Sequence, residues 1–304
     1  MPGTSHSFEL YPPRTARSAA ALPAALEALA ATGPEYFSVT YGASGSSTEA
    51  SFDLVRQVAD RTDVDVMAHL TCSCASVAGT AQLVRRLLDA GASRFLAVRG
   101  DPVEGATAGG LRSAAELVQL IHRVQAERAT WGRRLPGPAG VGGTGPSRAR
   151  VAVAAFVNGH PDSRGRTDHL DALLAKQIAG ADLAITQLFF HPEDYAAFVD
   201  RARRWGITIP IVPGVLPVTS PARLTRMLEL SGEDEPNDLA IALEVEPTDE
   251  GRHEIGVAHA ARFAQALLDA GAPALHLYTF NRADAVVAVL ERLGLAPAPI
   301  KETT

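Results

Sequence analysis

The stretch Ala97-Val98-Arg99-Gly100-Asp101-Pro102 decides the fold: an apolar, β-branched run stops abruptly in Arg99, Gly100, Asp101 and a helix-excluding Pro102. A barrel strand delivers charged groups to an active-site rim in this way. The same pattern recurs in Ser-Phe-Glu9-Leu-Tyr-Pro-Pro, Phe-Ser-Val-Thr40-Tyr41-Gly, Met-Ala-His69-Leu-Thr, Val-Ala-Ala-Phe156, Ala-Ile-Thr-Gln187-Leu-Phe-Phe and Leu-Tyr-Thr-Phe-Asn281-Arg282. Each is an apolar strand with a polar group at or near its C-terminal end.

Working outward, eight strands are expected near residues 5–11, 36–42, 65–71, 94–99, 151–156, 183–189, 208–215 and 274–280. Stretches with Leu, Val and Ala at helical spacing alternate with them: 18–31, 51–61, 76–90, 113–128, 169–179, 192–205 and 221–231. Such alternation implies βαβ units and a parallel sheet. The expected fold class is therefore α/β, a single (β/α)8 TIM barrel spanning 1–304, with one extra helix between Ser231 and Val257 before the last strand. Gly91, Gly180 and Gly271 each follow a helix in an Ala-Gly-Ala or Ala-Gly context that suits a C-cap. Residues 129–150 are rich in Gly and Pro and read as a flexible loop on the N-terminal side of the barrel, and 296–304 as a tail.

Composition narrows the class. A chain of 304 residues with 46% hydrophobic content can bury a large core. The net charge of -6 with dispersed Arg disfavours nucleic acid as a partner. No apolar run approaches the roughly 20 residues that span a bilayer, so no membrane partner is expected. Only Cys72 and Cys74 occur, which points to a reducing cytoplasm. Two thiols one residue apart lack zinc-site spacing, and no metal is expected.

The motifs ending in Glu9, Thr40-Tyr41, His69, Arg99-Gly100-Asp101, His160-Pro161, Gln187 and Asn281-Arg282, with Pro-Gly-Val-Leu-Pro-Val at 213–218, together resemble the methylenetetrahydrofolate reductase family. They run in order from residue 7 to residue 294. The resemblance implies reduction of 5,10-methylenetetrahydrofolate to 5-methyltetrahydrofolate, with NADH or NADPH as electron source through FAD. It also implies one-carbon metabolism leading to methionine, and is compatible with a homo-oligomer.

The reaction needs an acid that protonates a ring nitrogen and a group that stabilises the resulting iminium cation. The resemblance assigns Glu9 as the acid. Its neighbours Phe8, Leu10 and Tyr11 are expected to favour the proton-carrying form. Asp101 is the implied cation stabiliser. Gln187, with a donor and an acceptor, suits a pterin edge. Arg282 and Phe189 are the other expected folate contacts. For the cofactor, the resemblance points to Thr40, Tyr41, Ala43, His69, Arg99, Gly100, Asp101, Ala114, Phe156, His160 and Lys176.

The chain departs from the family pattern in one region. On the helix after strand five, the usual Asp falls on His169, the usual Asn on Ala172 and a common polar position on Ala175; the usual Tyr near His160 is Phe156. Those positions serve the adenosine diphosphate half of FAD. Two alternatives follow: the same folate reaction without tightly bound FAD, using a nicotinamide or deazaflavin hydride directly, or a non-catalytic folate-binding barrel subunit. A binding module has no need of the acid at Glu9, and a flavin would colour the protein yellow.

Overall fold

The computed structural model describes residues 4–41, 48–72, 76–100, 110–132, 148–159 and 167–296. Parallel strands β1 (Ser5–Leu10), β2 (Tyr36–Val39), β3 (Asp65–Thr71), β4 (Arg94–Val98), β5 (Arg150–Ala155), β6 (Leu183–Thr186), β7 (Ile211–Val212), β8 (Gly214–Val215) and β9 (Ala274–Tyr278) form one sheet. Its order, β7-β6-β5-β4-β3-β2-β1-β9-β8, is that of a barrel. The expected seventh strand is split into β7 and β8 by Pro213, which has no N–H for a ladder. Residues before the proline pair with β6 and residues after it with β9, so the sheet closes around this break. The Pro213 carbonyl still accepts from His276 N at 3.0 Å.

Helices α1 (Ala16–Ala30), α2 (Thr48–Arg61), α3 (Val77–Asp89), α4 (Ala114–Gly132), α5 (Asp168–Ile178), α6 (Pro192–Arg204), α7 (Pro221–Ser231), α8 (Asn237–Val245), α9 (Asp249–Asp269) and α10 (Asp284–Arg292) surround the sheet. The expected extra helix is α8, between α7 and the long α9. Local chemistry sets the helix ends. In α1 a capping box starts the helix, Ser18 N donating to Thr15 Oγ1 and Thr15 N to Ser18 Oγ, both at 3.1 Å. Leu22, Leu26 and Leu29 then recur on its buried face. Gly91, Gly180 and Gly271 have φ of +101°, +104° and +89°, the left-handed conformation expected of them. Residues 129–132 belong to α4, so the expected loop begins later; the rest of that segment, 133–147, and the tail from 297 lie outside the described residues.

Alternation along each strand sorts two environments. Phe8, Leu10, Phe37, Val39, Phe95 and Ala97 point outward into the main core beneath the helices. Tyr36, Met67, Leu96, Ala152, Leu183, Ile185 and Val212 form a second cluster that fills the barrel interior. At the N-terminal mouth, Arg94 donates to Glu35 at 2.8 Å and to Asp65 at 2.8 and 3.0 Å, with its guanidinium 4.8 Å from the centre of the Tyr36 ring. At the opposite mouth, formed by the C-terminal ends of the strands, the described residues line a cavity.

Candidate active site

The cavity at the C-terminal mouth measures about 680 Å³. Glu9, Thr40, His69, Arg99, Gly100, Ala114, Phe156, Lys176 and Gln187, all expected from the sequence, line it. They come from β1, the ends of β2, β3, β4, β5 and β6, and the helices α4 and α5.

Glu9 sits here for a reason different from the one its neighbours suggest. Phe8 and Leu10 alternate to the outer face of β1 and never touch its carboxylate. Its surroundings come from nearby strands: Oε2 lies 3.7 Å from His69 Nε2 on β3 and 3.9 Å from His276 Nε2 on the adjoining β9. Burial holds the His69 imidazole down to about 4, with the Glu9 charge opposing that shift and His276 adding to it. The ring is therefore uncharged at neutral pH, and Nε2 hydrogen-bonds Ser38 Oγ. His276 is fully buried, with Nδ1 2.8 Å from Ser7 Oγ. Its Nε2 and Thr40 Oγ1 are buried without a hydrogen-bond partner among the described residues.

Beside Glu9 on the neighbouring strand, Tyr278 donates to the Thr186 carbonyl at 3.0 Å and lies 3.4 Å from Gln187 Oε1. Burial, with the Glu9 and Tyr36 charges, pushes its hydroxyl well above the usual tyrosine range, so it remains a donor. Gly214 makes this contact possible: a Cβ there would stand 2.6 Å from Tyr278 Cε2 and 2.8 Å from the Thr186 carbonyl. Gln187 Oε1 also accepts from Leu188 N at 3.2 Å, which fixes the amide with its Nε2 as a donor for a ligand. Tyr278, His276 and Arg112, the last of which also lines the cavity, are not among the residues expected from the sequence. Period-2 counting back from Tyr278 places His276 on the same inward face, and that signal was available.

Three expected residues lie elsewhere. Phe189 is 1% exposed and packs on Tyr195 and Phe263, with ring centroids 6.2 and 5.2 Å away. It is a core residue, because the chain turns out of the barrel after Thr186. Tyr41 directs its hydroxyl to Thr48 Oγ1 at 3.0 Å on α2. Arg282 pairs with Asp284 at 2.6 Å in a small adjoining hollow that shares Tyr278 with the main cavity and also holds Arg223, whose guanidinium lies 5.0 Å from the centre of the Phe280 ring. Ala43, Asp101 and His160 lie outside the described residues.

The α5 side of the cavity decides what a dinucleotide would meet. Asp168, His169, Ala172, Ala175 and Lys176 line it. Lys176 Nζ donates to the Ala154 carbonyl at 2.8 Å, and burial together with Arg99 lowers it to about 8. His169 stacks on Phe198, and burial and Arg201 lower its basicity. Methyl groups at Ala172 and Ala175 cannot hydrogen-bond, and the His169 ring is stacked on Phe198 where the family pattern has an Asp. This described wall does not fit the adenosine diphosphate half of FAD.

Among the described residues no cluster of three or more His, Cys, Asp or Glu could hold a metal, and no helix is long and apolar enough to cross a membrane.

Comparison with known proteins is consistent along the whole chain. A maize protein named methylenetetrahydrofolate reductase (NADH) 1 is 29% identical over 307 residues, covering 96% of this chain and 48% of its own. A 5,10-methylenetetrahydrofolate reductase of Pectobacterium carotovorum is 30% identical over 293 residues, covering 96% of this chain and 90% of its own. The chain thus spans about half the length of the plant relative and nine-tenths of the bacterial one. The structure of a Clostridium thermocellum protein described as binding two copies of 5-methyl-5,6,7,8-tetrahydrofolic acid superposes with a TM-score of 0.58 at 12% identity, over 95% of this chain and 94% of that one, which shows a shared fold. The sequence profile of the methylenetetrahydrofolate reductase family matches residues 3–294, so the chain belongs to that family.

Proposed function

We propose that the protein reduces 5,10-methylenetetrahydrofolate to 5-methyltetrahydrofolate with a hydride that originates on NADH or NADPH. The observation that carries this reading is the placement of Glu9, one of two carboxylates among the described lining residues, on the inner face of β1, beside its register partner Tyr278 on β9 and in one cavity with Gln187. Glu9 gives its proton to the amine nitrogen that leaves the methylene carbon. The bond breaks, and the carbon becomes an iminium carbon that accepts hydride. Gln187 and Tyr278 hold the pterin edge. Asp101, two residues beyond Arg99 in the chain, is the assigned stabiliser of the cation, since a carboxylate beside a developing positive charge lowers the barrier. Arg282 is assigned to the distal, carboxylate-bearing part of the folate.

The uncharged state of His69 supports this chemistry, because a cation 3.7 Å from Glu9 would favour the ionised carboxylate, which has no proton to give. FAD was expected as the carrier of the hydride, and the α5 wall does not suit its adenosine half. The compartment we assign is the reducing cytoplasm, in keeping with the buried Cys72 thiol.

The test is product identification. Purified protein with 5,10-methylenetetrahydrofolate and either reduced nicotinamide should form 5-methyltetrahydrofolate, measured by mass spectrometry. Oxidation of the nicotinamide with no methyl product would refute the reading.

A further inference from the structure

A resident flavin and a nicotinamide substrate make different demands on a wall. A cofactor retained through many turnovers needs about nanomolar affinity. A coenzyme that must leave after each turnover works at roughly micromolar to millimolar KM. The α5 wall is poor in anchors. Ala172 and Ala175 present methyl groups, and one of the three N–H groups of the Lys176 ammonium is taken by the Ala154 carbonyl. The start of a helix ordinarily seats phosphate. Here the first turn of α5 already carries Asp168 and Asp171, and Asp168 lines the cavity. Asp171 turns away to accept from Trp205 Nε1 at 2.9 Å, so of the two only Asp168 meets a ligand there.

The strand side of the same cavity is better provided. Thr40 Oγ1, unpartnered among the described residues, lines it together with Glu9 and His69. A hydroxyl can both donate to and accept from a carboxamide such as that of a nicotinamide ring. Leu96, Val98 and Ile185 supply an apolar lining for a planar ring.

Resting on the reductase reading above, we propose that hydride passes directly from a reduced nicotinamide to the folate within this one cavity, with no flavin held between them. The C4–H bond of the dihydronicotinamide breaks with its electron pair, and a C–H bond forms at the iminium carbon of the folate. The coenzyme leaves oxidised by two electrons, and the folate is reduced by two. Glu9, having given its proton to the amine nitrogen, recovers one from water. The two substrates occupy the cavity together.

The experiment uses the protein as purified, with no flavin added, and NADH or NADPH deuterated at C4 in each of its two faces. Direct transfer predicts a colourless protein and, for one face, one deuterium in each product methyl. A hydride parked on a flavin nitrogen exchanges with water, so methyl product lacking deuterium from either face would overturn the proposal while leaving the reductase reading intact. So would a yellow cofactor that survives gel filtration and scales with activity. If neither coenzyme yields any 5-methyltetrahydrofolate under conditions where nicotinamide binding is seen by fluorescence, both the proposal and the reading fall.

Discussion

Glu9 Oε2 lies 3.7 Å from His69 Nε2, and burial keeps that imidazole uncharged near neutrality. The pair is a carboxyl beside a neutral ring, with Ser38 as the hydrogen-bond partner of the ring. Gln reaches nearly as far and keeps an uncharged hydrogen-bonding end. His69→Gln should therefore lower kcat/KM less than about tenfold at pH 7, on the scale of one net hydrogen bond. Steady-state kinetics on a variant with unchanged melting temperature checks this; a loss matching removal of Glu9 itself would mean that His69 carries charge or proton.

Acid should destabilise the fold through two histidines. Burial holds His6 and His69 down to about 4, against 6.5 when unfolded. Between those values the unfolded chain binds more protons than the native one, so stability is present above pH 6.5 and is lost as pH falls toward 4. Each ring contributes at most about 1.4 kcal/mol per pH unit. His6 Nε2 lies 2.9 Å from Thr32 Oγ1, whose own proton goes to the Leu29 carbonyl. Urea midpoints between neutrality and mild acid should fall less steeply in His6→Asn than in the parent; identical slopes would contradict the account.

Gly214 and Tyr278 are packed so closely that one methyl group reports on the site. The Cβ of Gly214→Ala would press on Tyr278 and on the Thr186 backbone. Overpacking of this kind costs about 1–3 kcal/mol. The ring must also move from Thr186 and Gln187, so the folate KM should rise along with the loss of melting temperature. Lost stability with unchanged KM would separate Tyr278 from the substrate.

The N-terminal mouth should matter for stability alone. Arg94→Met removes the cation between Glu35 and Asp65, whose side chains are partly exposed, and should cost about 2 kcal/mol, below the full cost of breaking a buried pair. The melting temperature should fall by about 5 °C. kcat and KM should remain within about twofold, as expected for the face of a barrel remote from chemistry.

Anchors can be added to the α5 wall. Ala172→Asn with His169→Asp places hydrogen-bonding groups where the cavity now has a methyl and a stacked ring. FAD affinity, measured by equilibrium dialysis, should rise about tenfold for each good bond formed. No change would show that these two positions do not limit flavin binding.

The barrel was legible because polar residues interrupt apolar runs at regular intervals, as at Arg99 and Gln187, and because helix-spaced Leu and Ala fill the gaps. The positions of the glycine caps followed from the same rhythm. Errors arose where adjacency in sequence stood in for adjacency in space. Phe8 and Leu10 flank Glu9 along the chain but face the opposite side of the sheet. Phe189 follows Gln187 by two residues, yet the strand has already ended at Thr186, so the alternation no longer applies. His276 and Tyr278 were concealed by the reverse effect: their partners Ser7, Glu9 and Gln187 come from other strands and meet them only when the sheet closes.

The central claim is that Glu9 delivers the proton that opens the folate ring. Glu9→Gln preserves size and hydrogen bonding but cannot donate that proton, and positioned proton transfer is worth roughly 10²–10⁴-fold. The decisive measurement is the rate of 5-methyltetrahydrofolate formation by this variant at saturating folate and nicotinamide, with binding of both confirmed separately. A fall of at least about a hundredfold with binding and folding intact is predicted. Turnover near that of the parent would contradict the account.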